Sequence, residues 1–522
     1  MRRALALLPL LLLGSCSPPA ATAGPSLRYG LTLAPTGLDP HLNASSELTI
    51  PLGSVYDTLV FQDPETQEFV PGLASRWEIS PDGRTYTFYL RQDVEFHDGT
   101  PFDANSVKVN LERVLDPENL SQKAASMLGP LESIAVRDPS TVVLQLSQPF
   151  APLLDSLSQV YLGMASPKAL AQWGGAEYQF HQVGTGPYRF VEYVPNDHLT
   201  LQANPDYDWA PSVYQHDQPY YRQVTFRFFE DPATRALALE TGDVDVIGEM
   251  PPHDAERLVS SGKYQLQAVP IPGQPLQLFF NTTRSPTSDP SVRRALLLSV
   301  DRARLVRTVF GEHSSVAEGL LSAGTPGASP AVPAELFDPA EAASLLDAAG
   351  WRRGSDGLRQ RDGVRLGITL IVPPWGSNPE AAQLVSAAWS ELGAEVDLQV
   401  APGFGPLKEA QAGGEYHVIG VNFFGSDPDL LRPFFSSDGL YNWTGWSDPD
   451  LDALLVAAAE STAPRSERLA MYSQVAEEVA SQALVLPIRD YTNLVVHRRD
   501  LSNLSFSRQG WNPYLIDLRP AP

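Results

Sequence analysis

The chain is poor in the residues on which catalytic and metal chemistry rests. One cysteine, Cys16, occurs in 522 residues, so no disulfide can form within the chain, and thiolate catalysis and cysteine-based zinc or iron–sulfur sites drop out of consideration. There is no Gly-x-Ser-x-Gly elbow, no His-Glu-x-x-His and no Gly-x-x-x-x-Gly-Lys-Ser/Thr phosphate loop. The nine histidines are scattered; His41, His97 and His181 fall near segments named below, but a lone histidine more often packs than ligates. Basic residues are scarce, 37 Lys and Arg against 61 Asp and Glu, a formal net charge of −24. A nucleic-acid partner requires the opposite balance. Beyond Leu13 no run is long and apolar enough to cross a bilayer as a helix. These absences take from an enzyme reading its cheapest support; the expectation, completed by the resemblance given below, is a protein that is not an enzyme, with no metal site and no cofactor.

What is present begins at the N-terminus. Arg2 and Arg3 precede the apolar run Ala4 to Leu13, which ends in Leu13-Gly14-Ser15-Cys16. That order is the one found in a bacterial lipoprotein signal peptide, and the run is about half the roughly 20 residues of a spanning helix. The sequence therefore predicts a signal peptide over 1–15, lipidation of Cys16 and a lipidated tether over 16–26, rich in Ser, Pro, Ala and Gly. The chain beyond is about 500 residues, more than the roughly 250–300 at which one core stops growing, so two lobes or more are expected.

Periodicity then sets the fold class. Tyr86, Phe88 and Leu90 alternate within Arg84 to Arg91, and Val224, Phe226 and Phe228 within Gln223 to Phe229, the signature of half-buried strands. Val292, Leu296, Ser299, Val300, Ala303 and Val309 recur at helical spacing after Asp289-Pro290. An aspartate cap with proline at the first helical position starts a helix, and the pair recurs at Asp231-Pro232 and Asp448-Pro449. Interleaved strands and helices indicate an α/β class. In Gly242-Asp243-Val244-Asp245-Val246 a strand with its valines inward is favoured over a metal or acid/base pair of carboxylates. Val269-Pro270-Ile271-Pro272-Gly273 and Leu486-Pro487-Ile488 are candidate crossings between lobes.

Ordered motifs add a family resemblance. Leu38-Asp39-Pro40 and Val55-Tyr56-Asp57-Thr58-Leu59-Val60 are followed by Pro71-Gly72-Leu73-Ala74-Ser75-Arg76-Trp77, Asp82-Gly83, the strand Tyr86 to Leu90 and Val94-Glu95-Phe96-His97-Asp98-Gly99-Thr100-Pro101-Phe102. Further along come Gly184-Thr185-Gly186-Pro187-Tyr188, Asn204-Pro205-Asp206-Tyr207, Gly242-Asp243-Val244-Asp245, Phe280-Asn281, Val292-Arg293-Arg294-Ala295-Leu296, Asp301-Arg302 and Tyr441-Asn442. In this order they resemble the peptide/nickel/opine class of ABC-importer solute-binding proteins, which includes oligopeptide- and dipeptide-binding proteins. The resemblance implies a clamshell of two lobes with an inserted subdomain. Lobe I is then 27–53, 184–270 and 487–522, the subdomain 54–183 and lobe II 271–486. It also implies a monomer that closes on a solute outside the cytoplasm and docks on membrane permease subunits, tethered through Cys16.

In the peptide-binding members an aspartate in a second-lobe loop takes the peptide's α-ammonium. That loop corresponds to Gly420 through Asp429, and the aspartate position, four residues before Pro428, holds Phe424. A tryptophan of the family pattern is replaced by Val421 or Asn422. The ligand-binding candidates are therefore Asn422, Phe423, Phe424, Asp427, Asp429, Asp438, Asn442 and Trp443, with the aspartates as carboxylates for the ammonium and the aromatics as walls. A peptide is the leading expectation for the ligand. A chelated metal, an opine or a sugar is the alternative within the class, and an exported hydrolase is the reading outside it.

Overall fold

A computed structural model of the chain describes residues 24–32, 37–121 and 123–522; the signal sequence and Cys16 lie outside these. Among the described residues three large sheets carry the architecture. The first has seven strands, in the order Tyr264–Pro270, Thr492–Arg498, Val246–Ile247, Ser26–Leu31, Gln223–Phe228, His198–Ala203 and Tyr188–Val194. The second has five, Glu395–Val400, Gly367–Val372, Val418–Phe424, Gly273–Phe280 and Val485–Arg489. The third has four antiparallel strands, Ala74–Ile79, Thr85–Leu90, Thr141–Leu146 and Leu131–Asp138, all within the segment expected as an insertion. The result is a mixed α/β protein with two lobes and an inserted subdomain.

Alternation places the strands as read. Tyr86, Phe88 and Leu90 are all buried, and so are Val224 and Phe226, while Phe228 packs half-buried against the same core. The aspartate caps also form: Asp231 accepts from the Ala233 amide at 2.9 Å, Asp289 from Ser291 at 2.9 Å and Asp448 from Asp450 at 2.9 Å. One expectation is corrected here. The periodic run Val292 to Val309 is two helices, Pro290–Leu298 and Arg302–Phe310. Asp301 caps the second by accepting from the Arg304 amide at 2.9 Å, and this new start breaks the first helix after Leu298.

The motif glycines and arginines are scaffold. A Cβ on Gly184 would lie 2.0 Å from the Val55 carbonyl oxygen, so only glycine lets the two segments meet. Arg293 donates to the carbonyls of Gln482 and Thr287 at 2.7 and 3.0 Å, and Arg302 to those of Ala317 and Pro487 at 2.8 and 3.1 Å. Arg302 thus staples its helix to the second sheet, and Arg293 staples its own to the turn that precedes the strand Val485–Arg489.

The chain passes between the two main sheets twice. Tyr264–Pro270 ends in the first sheet and Gly273–Phe280 begins in the second. Gly273 has φ +134°, and a Cβ there would sit 2.2 Å from the Phe423 carbonyl, so this crossing requires glycine. The return runs from Val485–Arg489 to Thr492–Arg498. Pro487, Ile488 and Arg489 therefore belong to the second sheet and not, as the expected boundary had them, to the first lobe.

Candidate ligand-binding cleft

At the crossings, side chains from both lobes converge. Phe424, last residue of its second-lobe strand, packs on the first-lobe core, its ring 5.0 Å from Tyr491 and 5.0 Å from Trp511. Tyr491 lies in the return crossing and Trp511 in the C-terminal segment; their rings are 5.9 Å apart. The indole N–H of Trp511 is buried without a partner. Two carboxylates close the same corner. The Tyr491 hydroxyl donates to Glu249 Oε1, and Glu249 interacts electrostatically with Glu47. Glu47 is 3% exposed, takes Thr32 Oγ1 on Oε1 at 3.5 Å and leaves Oε2 without a partner. Burial, reinforced by Glu249, pushes the Glu47 carboxyl up to about 8. Glu249 itself sits at φ 46°, a left-handed conformation unusual for a residue with a side chain.

The subdomain also meets the second lobe directly. The Ala151 amide donates to the Ala459 carbonyl at 2.8 Å, Ser426 Oγ donates to Asp155 at 2.5 Å, and Arg465 reaches Gln67 at 3.0 Å. Burial and then Asp427 push the Asp155 carboxyl up to about 6. A cavity of about 210 Å³ lies along this seam, bordered by Asp155, Ser426 and Arg468. A larger open depression, about 650 Å³, lies at Tyr264, Arg498 and Asp500. Its Arg498 is already committed to Asp245 and Asp500.

The expected ligand-binding residues divide sharply. Asn422 is buried, and neither its amide nitrogen nor its oxygen has a partner. Phe424 faces the cleft as described. The others are corrections. Phe423 points the opposite way on its strand, into the second lobe's core, with ring contacts at 4.7 Å to Phe434 and 5.6 Å to Phe404. Trp443 is fully buried there, and its indole N–H donates to Gln411 at 2.6 Å. Asn442 uses its amide within the local turn, donating to Ser436 and Trp446 carbonyls at 3.0 and 2.8 Å. Asp427 is held bidentately by Arg468 at 2.7 and 2.6 Å and caps the Asp429 amide at 2.8 Å. Asp429 is held by Arg432 at 2.8 Å and accepts the Tyr472 hydroxyl at 3.0 Å. Asp438 is exposed in the turn beyond. Asp427 and Asp429 are thus committed within the lobe, and Asp438 stands at the surface.

Glu47, Glu249, Arg489, Tyr491 and Trp511 escaped the sequence reading. A usable signal existed for two of them: Arg489 and Tyr491 directly follow Leu486-Pro487-Ile488, and residues at a crossing border the cleft. The three histidines singled out in the sequence are structural, His41 bonding the Gly163 carbonyl at 2.9 Å and His97 that of Gly186 at 2.9 Å, while His181 stacks on Trp173 at 3.7 Å.

Two lobes joined by two crossings, with buried polar groups where they meet, define a receptor that closes on a small solute. The family model of bacterial extracellular solute-binding proteins, family 5 (middle region), matches residues 68–444, and the chain belongs to this family. It is 26% identical over 492 residues to the nickel-binding periplasmic protein of Escherichia coli K12, covering 90% of each chain. It is 29% identical over 464 residues to the glutathione-binding protein GsiB of Pectobacterium atrosepticum, covering 86% of this chain and 85% of the relative. Among solved structures, NikA from Brucella suis with Fe(III)-EDTA superposes with a TM-score of 0.86 at 28% identity, covering 95% of this chain and 100% of that one. AppA from Bacillus subtilis with a nonapeptide has the same fold, with a TM-score of 0.79 at 19% identity and coverage of 96% and 99%. The protein is accordingly an extracytoplasmic, non-catalytic receptor of an ABC importer, taking a small solute between its lobes for the permease.

Proposed function

We propose that the solute is a small zwitterionic, peptide-like molecule, and that its ammonium is read by Glu47 and Glu249 of the first lobe in place of the second-lobe aspartate of the peptide receptors. The observation that carries this reading is the buried Glu47 oxygen without a partner, next to a second carboxylate. Burial and the nearby Glu249 keep Glu47 protonated at neutral pH; a cation between the two relieves both penalties. Phe424, Tyr491 and Trp511 supply the apolar wall, and the Asn422 amide an orienting contact. Relatives named as glutathione-binding support the reading, since glutathione carries both an ammonium and carboxylates. Solute contacts on both lobes favour the closed state by their differential affinity. The receptor works as a monomer, held to the membrane by lipid on Cys16.

Calorimetry with glutathione and N-acetylglutathione tests the ammonium. The free amine should bind at least tenfold tighter, and Glu47→Gln should erase that preference. Equal binding by the wild type, or a preference that survives in Glu47→Gln, overturns it. A second reading, a metal chelate, is favoured by the close superposition on NikA with Fe(III)-EDTA. Among the described residues no group of three or more His, Cys, Asp or Glu could hold a metal ion, so on that reading the metal arrives with its own ligands. For the anchor, mass spectrometry of the mature N-terminus should find a lipidated Cys16, and Cys16→Ser should abolish it.

A further inference from the structure

Six arginines are buried among the described residues: Arg235, Arg293, Arg302, Arg359, Arg468 and Arg489. A guanidinium cannot discharge itself by losing a proton, so each must find acceptors where it lies. Arg235 donates to the carbonyls of Phe229, Glu230 and Glu249 at 2.7–3.1 Å. Arg293 and Arg302 each reach several carbonyls. Arg359 has Asp347 and two carbonyls, and Arg468 has Asp427, the Ala458 carbonyl and the Tyr472 hydroxyl. Arg489 is the exception. It is 4% exposed; Nη2 donates to the Gly376 carbonyl at 3.1 Å, and Tyr491 is its other side-chain partner. Its Nε is buried without a partner, and no carboxylate lies within ion-pair distance among the described residues.

The rest of its surroundings hold it in place, and Glu249 and Asp490 act on it through space without a direct ion pair. The guanidinium lies 3.9 Å from the ring centroid of Phe310 and 4.3 Å from that of Tyr491, and both rings attract it. The hydrogen bonds of these neighbouring carboxylates go to other groups. Asp490 accepts Ser315 Oγ at 3.1 Å and the Ala323 amide at 3.3 Å, and Glu249 accepts the Tyr491 hydroxyl. Strand register adds a second orphan. Arg489 pairs with Leu276 on one side, and Asn422 lies on the strand at the other side, opposite the bulge between Gln274 and Gln277. Alternation puts Arg489 and Asn422 on one face of the sheet, at the end where the chain crosses between lobes. Both polar atoms of that amide lack partners.

We propose that Arg489 is the anion anchor of the solute: an ionised carboxylate of the ligand docks on its guanidinium, with the Asn422 amide as the adjoining contact. The proposal rests on the zwitterionic reading above and completes it, since Glu249 and Arg489 flank Tyr491 and so present opposite charges to an amino-acid head group. Planar, pre-oriented guanidinium suits bidentate carboxylate recognition. Because Arg489 stands at the return crossing, the contact also ties ligand occupancy to the segment that moves on closure.

The test compares glutathione with its diamide, in which both carboxyls are amidated, on wild type, Arg489→Met and Arg489→Lys by calorimetry. Wild type should lose about 30-fold or more on amidation. Arg489→Met should bind the two forms equally while melting no lower than wild type, and Arg489→Lys should restore part of the preference. A structural role alone lowers affinity for both forms and leaves their ratio intact. Equal binding of acid and diamide by wild type, or an unchanged ratio in Arg489→Met, overturns the anchor. If no form of glutathione binds wild type, the peptide-like reading fails by itself, and Fe(III)-EDTA, a polycarboxylate with no ammonium, becomes the probe. Its loss in Arg489→Met supports the anchor; unchanged binding, or none to wild type, overturns it.

Discussion

Arg468 and Arg489 are buried arginines of the same lobe with opposite circumstances. Arg468 closes a bidentate pair with Asp427 and bonds Tyr472, whose hydroxyl in turn reaches Asp429. Arg489 has Phe310 and Tyr491 beside it, one carbonyl on Nη2, an Nε without a partner and no carboxylate in direct contact. The difference teaches how to tell a scaffold charge from a recognition charge in a receptor. A fully paired ion fixes geometry and offers a ligand nothing, whereas a rigidly held ion short of acceptors keeps its interaction energy for a partner that comes later. The sequence expectation ran the other way, placing recognition on Asp427 and Asp429, which are scaffold.

The largest effect expected from this contrast is on folding. Arg468→Met strands Asp427 and removes a bond from Tyr472, and should lower unfolding free energy by about 3–5 kcal/mol. In chemical denaturation the midpoint should fall while the glutathione Kd, measured on the protein still folded, stays put. A stability loss below about 1 kcal/mol would erase the distinction. Arg489→Met is the mirror image, with unfolding free energy unchanged or raised, because an ill-matched buried ion has been replaced by apolar volume. Its affinity for an acidic solute should fall by about 2–4 kcal/mol.

A smaller effect concerns Glu47. Its carboxyl is pushed up to about 8 by burial and by Glu249, so in the empty protein it is protonated below that pH and must ionise to pair with an ammonium. Affinity for glutathione should therefore strengthen from pH 6 to pH 8, by up to about tenfold per unit, and Glu47→Gln should flatten the profile. Linkage gives the stability sign. A carboxyl raised in the folded state contributes stability that is full below its ordinary 4.5 and is lost as the pH rises through 8. The empty wild type should lose stability over that window, and Glu47→Gln should lose less. The smallest effect is at Asp438, exposed in its turn: Asp438→Asn should change both stability and affinity by less than about 0.5 kcal/mol. A clear loss of affinity would return recognition to the loop.

Much of the fold was legible because its signals are local. An Asp-Pro step caps a helix through amides two or three residues on, and alternating Tyr86, Phe88 and Leu90 declare a strand whatever packs on it. The class was legible because ordered motifs persist along the chain. The cleft was not, and Phe423 and Phe424 show why. Adjacent strand residues must face opposite ways, but nothing nearby says which face becomes core and which meets Tyr491 and Trp511. The missed break after Leu298 has the same origin in reverse, since an apolar periodic run carried across Asp301 and its capping role went unweighed.

The sequence by itself determined the kind of molecule: a charge balance and motif set without catalytic chemistry, helix starts, strands, and crossings near Pro270 and Pro487. Only the tertiary structure decided which charges were committed. Asp427 meets Arg468 and Glu47 meets Glu249 across separations no local rule spans, and a buried polar group's duty depends on how many partners remain for it once the backbone has folded.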